Sequence, residues 1–136
     1  IVYDWNRDCF FIVDEYLKSE KTTAEHAAEF TAMNLKHGVE VTFIDSAAAQ
    51  FAGDLAYLYN ISTTKAKKDV LPGIAYVQTL VQQGRLKVAP HCTHTRAMFD
   101  QYRWDQREGL QRERPMHDKY SHMADAVRYA LYTYTI

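Results

Sequence analysis

Short β-rich apolar runs alternate with helix-forming segments along this chain. That alternation confines it to the α/β class, in which helices cover a sheet on both faces. The stretch "IVYDWNRDCFFIVDEYLKS" holds two β-rich runs around Asn6, Arg7 and Asp8, residues that favour turns, and it predicts a hairpin. "TTAEHAAEFTAMNLKHG" opens with Thr22 and Glu25 at capping-box spacing and closes on Gly38, so a helix is expected from Thr23 to Lys36. "VEVTFID" alternates in β fashion and predicts a strand that delivers Asp45 to its C-terminal edge. A helix in "QFAGDLAYLYN" and a short strand within the polar, basic "ISTTKAKKD" follow. "VLPGIAYVQTLVQQG" has Pro72 near a helix start and Gly84 at its end. "RLKVAP" predicts a short strand stopped by Pro90, and "CTHTRAMFDQYRW" a helix. "DQREGLQRERPMHDK" reads as a charged connection. The last helix, Lys119 to Tyr134, is expected to bury Ala124, Val127, Ala130 and Leu131.

A length of 136 residues suits one domain spanning the whole chain, and 47% hydrophobic content supplies a small core. With 16 basic and 17 acidic residues the net charge is -1, which rules out a global cationic field and leaves only local patches for binding nucleic acid. The apolar runs fall short of the roughly 18 residues of a membrane span, and no signal core opens the chain, so the expectation is a soluble, intracellular protein without a membrane partner. Cys9 and Cys92 lack CxxC spacing, which argues for buried or idle thiols over a disulfide framework or zinc site. "IVYDW" begins in β character without an initiator Met, as expected of a piece cut from a longer protein.

In α/β sheets, sites form beyond the carboxyl ends of strands, where Asp45 is placed. His122 and Asp125 stand three apart near the start of the last helix, on one face and roughly 5–6 Å apart at Cβ. Two carboxylates distant in sequence can form the acidic centre of a metal-dependent phosphodiesterase, for which hard oxygen ligands suit magnesium or manganese. Spacing alone also allows Asp45 to be a helix N-cap and Asp125 an exposed helix charge.

From "FFIVDEYLKSEKTTAEH", through "VTFIDSAA", "KAKKDVLPGIAYVQTLVQQGRLKV" and "YRWDQREG", to "SHMADAVRYALY", the chain resembles the nuclease domain of tailed-phage terminase large subunits. The most specific pieces are the strand-ending Asp45 and the final HxxDAxRYA pattern, here His122, Asp125, Ala126, Arg128, Tyr129 and Ala130. The resemblance implies a ribonuclease H-like mixed sheet and a metal-dependent endonuclease that cuts concatemeric viral DNA during packaging in an infected bacterial cytoplasm. It implies double-stranded DNA, an upstream ATPase domain, the portal and the small terminase subunit as partners. By the same resemblance Asp45 and Asp125 are acidic metal ligands of a two-ion Mg2+ or Mn2+ site. His122 takes the family's histidine position, where binding metal, orienting water and shuttling a proton all stay open.

The family's first acidic ligand lies on a central first strand, in a DxG-like stretch. Here that strand is expected to precede Ile1, because taking "IVYDW" as the first strand leaves too few strands before the first helix; Asp4 is therefore set aside as a substitute. Such a loss would open a gap between the hairpin and the Asp45 strand and weaken metal binding. A non-catalytic ribonuclease H-like module that binds DNA or packaging partners is the second reading, and another ribonuclease H-like enzyme, a resolvase or transposase, the third.

Lys65, Lys67 and Lys68 precede a helix and are candidate contacts to DNA phosphates, with a solvated loop as the alternative. Arg103, Arg107, Arg112 and Arg114 are weaker candidates, diluted by Glu108 and Glu113. Asp14 and Glu15 read as structural, and Asp118, beside His117, as a helix cap or a contact to a water near the metal. Trp5, Trp104, Tyr129 and Tyr132 read as packing groups, while His91 and His94 lack a third zinc ligand. No GxxxxGK[ST] loop is present, so this chain is not itself an ATP-driven motor.

Overall fold

The computed structural model describes residues 1–107 and 119–134. Its elements run β1 (Val2–Asp4), β2 (Cys9–Ile12), α1 (Thr23–His37), β3 (Phe43–Ile44), a 3-10 turn (Ser46–Ala48), α2 (Ala49–Tyr59), β4 (Thr64–Lys65), α3 (Val70–Gln82), β5 (Leu86–Val88), α4 (Thr93–Arg107) and α5 (Lys119–Thr133). The order follows the alternation in the sequence. The chain divides into two compact units, one made of Ile1–Leu17 with Asp69–Ile136, the other of Lys18–Lys68.

In the first unit β1 and β2 form the expected antiparallel hairpin, and β5 joins β2 in parallel, Phe10 opposite Leu86 and Ile12 opposite Val88. Asp4 Oδ1 accepts the backbone N–H groups of Asn6 (2.9 Å) and Arg7 (3.3 Å), an Asx-type turn that closes the hairpin. Asp8, at φ +50°, takes the left-handed conformation, and Arg85 fixes it by donating to its carbonyl (3.0 Å) and carboxylate (2.8 Å). Hydrogen bonds from Tyr3 and then Arg85 hold the Asp8 carboxyl below the usual range. The core of this unit joins Phe10, Ile12 and Leu86 of the sheet to Leu80, Met98, Val127 and Leu131 of the helices. Ala130 is only half-buried, at the edge of the stripe. Both cysteines are free and buried, as expected.

In the second unit Thr22 and Glu25 complete the capping box of α1, and Gly38 ends it at φ +62°. Ala27, Leu55 and Ile61 form its core, flanked by Phe30, Ile44 and Phe51. The seven-residue strand expected in "VEVTFID" shrinks to Phe43–Ile44, because Val39 and Val41 are 44% and 42% exposed and gain no covering layer. β3 pairs in parallel with β4, Phe43 opposite Thr64 and Ile44 opposite Lys65. The described strands thus form a three-stranded mixed sheet and a two-stranded parallel one. No described helix is long and apolar enough to cross a membrane.

Candidate functional site

Asp45 follows β3 directly, as the alternation of "VTFID" requires, and the chain then turns into the 3-10 helix. Its Oδ1 accepts the Ala47 N–H at 2.9 Å, so the N-cap role allowed by the sequence is realised. The same oxygen lies 2.9 Å from Lys68 Nζ, with both side chains part-exposed. The ladder brings their backbones near: Ala66 N–H donates to Ile44 O at 2.8 Å, holding the chain two residues before Lys68 beside the residue before Asp45. The sequence marks Lys68 only as a DNA contact; its pairing with a candidate ligand follows from the β3–β4 register, which no local pattern encodes. Lys65 and Lys67 are exposed on either side of the buried Ala66.

In the first unit, Met123, Ala124, Val127 and Leu131 turn α5 into its core, which leaves His122 exposed and Asp125 half-buried. Asp125 Oδ1 accepts from Arg128 Nη2 at 3.2 Å, a pairing of positions i and i+3 on the helix. Arg128 is only 6% exposed. Its side chain crosses α3 at Gly73, where an added Cβ would stand 2.8 Å from Arg128 Cγ and Cδ. Its guanidinium carbon also lies 5.1 Å from the Tyr129 ring centre. Arg128 Nε is buried without a hydrogen-bond partner. Beside it, Ile74, Val77, Phe99 and Val127 line an apolar groove of about 220 Å³. The sequence motif contains Arg128, and its spacing from Asp125 is the available signal for the pairing.

Glu15 is structural, as read from the sequence: its carboxylate accepts from the N–H groups of His94 (3.0 Å) and Thr95 (2.9 Å) and from the Thr95 hydroxyl (2.9 Å), capping α4. Burial alone would raise the Glu15 pKa, but these bonds outweigh it and hold the carboxyl below its ordinary value. Trp5, read as a packing group, is instead 74% exposed with its ring edge against Tyr3, because the hairpin turn carries it beyond the sheet. Arg112, Arg114, His117 and Asp118 lie outside the described residues, as do the side chains of Arg103, Trp104 and Arg107. Among the described residues no three His, Cys, Asp or Glu side chains gather as a metal-binding group. Asp45 belongs to one compact unit, and His122 and Asp125 to the other.

No family model matches the chain. Over 136 residues and 98% of its length it is 43% identical to the "Terminase, large subunit" of Escherichia phage T5. The chain is similar to phage terminase large subunits. This terminase-like chain spans 31% of the T5 protein. Solved structures agree: the large terminase of a thermophilic bacteriophage aligns with a TM-score of 0.66 and 26% identity, covering 84% of this chain and 29% of that one. The same thermophilic phage terminase in complex with ATP-γ-S aligns over the same shares at a TM-score of 0.67 and 26% identity.

Proposed function

We propose that this terminase-like chain is the ribonuclease H-like nuclease part of a phage terminase large subunit, cutting concatemeric viral DNA during genome packaging in the host cytoplasm. The observation that carries the reading is the 43% identity to the phage T5 terminase large subunit over nearly the whole chain, together with the HxxDAxRYA pattern. Asp45 and Asp125 act as carboxylate ligands for Mg2+ or Mn2+, and His122 supports them. The donor chemistry fits: Asp45 is a part-exposed carboxylate that already holds a cationic group at 2.9 Å, and Asp125 is a part-exposed carboxylate oriented by Arg128. When bound, a pair of such ions supplies an activated water and neutralises charge on the leaving oxygen. The chain's own contribution is to orient the two carboxylates through Ala47 N–H and Arg128 and to offer Lys65 and Lys67 to the DNA backbone. The ATPase domain, portal and small subunit are the expected packaging partners.

A plasmid-nicking assay in Mn2+ tests this. Asp45→Ala and Asp125→Ala are each expected to abolish metal-dependent nicking while DNA binding persists. Undiminished nicking by either variant would remove that residue from the centre. A parent chain that binds DNA but never nicks would favour the non-catalytic module.

A further inference from the structure

Each candidate acidic ligand carries its own basic partner, and the two partners differ in a way that matters. Arg128 is locked: its side chain is 7% exposed and lies across Gly73, where no Cβ would fit without displacing it. Lys68 is 44% exposed on a flexible stem, and its ammonium contacts a carboxylate that is itself 38% exposed. The Ala66 to Ile44 hydrogen bond holds the backbone two residues before Lys68 against the residue before Asp45, which keeps the lysine within reach of that carboxylate.

We propose that Lys68 is a built-in counter-cation of Asp45, a displaceable occupant of Oδ1 that competes with the divalent ion and so sets how readily the site loads. The proposal rests on the reading of Asp45 as a metal ligand and adds a regulating residue to that site. The physical basis is competition for one oxygen. Oδ1 already accepts from Ala47 N–H and Lys68 Nζ, each at 2.9 Å. The backbone amide is fixed by the 3-10 turn and orients the carboxylate, whereas the ammonium ends a part-exposed side chain and competes with an incoming ion for the same oxygen. Lys68 therefore neutralises Asp45 at low metal concentration and yields as the concentration rises. Because the exposed pair is weak, its removal can tighten metal binding by no more than about two- to five-fold.

Mn2+ binding to the chain, measured by titration calorimetry without DNA, separates the outcomes. Lys68→Met keeps the stem and removes the charge; it is expected to bind Mn2+ about two- to five-fold more tightly than the parent chain, with an unchanged melting temperature within a few degrees. Lys68→Arg should restore the parental affinity, and in an Asp45→Asn background Lys68→Met should have no effect. Unchanged or weaker binding by Lys68→Met, while Asp45→Asn still lowers affinity, overturns the Lys68 role and leaves the ligand reading of Asp45 intact. If Asp45→Asn leaves Mn2+ affinity unaltered, the ligand reading fails and the Lys68 proposal falls with it. Measuring binding, not cleavage, keeps the result independent of the chain's nuclease activity.

Discussion

Arg128 and its neighbours show how tightly a single buried charge constrains the residues around it. The guanidinium has one carboxylate partner at 3.2 Å, an aromatic face at 5.1 Å and an Nε without a hydrogen bond. Asp125→Asn therefore does more than remove a candidate ligand. It leaves a buried cation uncompensated, and thermal denaturation should show a loss of about 1–3 kcal/mol, against a near-zero change for substitution of the exposed His122 by Asn. Gly73→Ala should cost a further amount of the same order, about 1–3 kcal/mol, by pushing Arg128 out of its seat. In a Gly73→Ala/Arg128→Ala double variant the two losses should be less than additive, which urea melts of the four proteins would reveal. At this scale the sequence is half legible. Three-residue spacing on a helix exposes the Asp125–Arg128 pair, but nothing local announces that Gly73, 55 positions earlier, is the floor beneath it.

Helix ends repeat that lesson among elements. Thr22, Glu25 and Gly38 mark the ends of α1 by local chemistry and are readable directly. The cap of α4 comes from Glu15, 80 positions before Thr95, and no short window of sequence contains it. Because hydrogen bonds lower the folded-state pKa of Glu15, its contribution is complete above its ordinary value of 4.5 and is lost as pH falls through the still lower folded value. Glu15→Gln should therefore weaken the fold at neutral pH by about 1–2 kcal/mol and flatten the loss of stability on acidification, as urea titrations at neutral and acidic pH would measure. The length of β3 escapes the sequence for a related reason: β alternation identifies a half-buried strand only if something covers one face, and exposed Val39 and Val41 have no such cover.

For the molecule as a whole, a net charge of -1 means that any affinity for DNA must come from a few placed cations. Lys65→Gln/Lys67→Gln should weaken duplex binding and reduce the slope of log affinity against log salt by about 0.9 for each phosphate contact removed. An unaltered slope would assign DNA contact elsewhere. The succession of elements is legible from the sequence because each rests on local periodicity and caps. The pairings of β2 with β5 and of β3 with β4 are not, because pairing partners are set by contacts that periodicity does not encode.

The parallel pairing of β2 with β5 also dictates an order of events at the ribosome. The hairpin is synthesised before β5, and that partner strand and the N–H groups that Glu15 must satisfy arrive only after the entire 18–68 unit has been made. Through that interval Phe10 and Ile12 lack β5, and a strand edge without its partner is the kind of surface that invites association with other nascent chains. Closure of so long a loop is what joins β5 to the hairpin, so the earliest time at which that pairing can form is set by translation across the intervening segment.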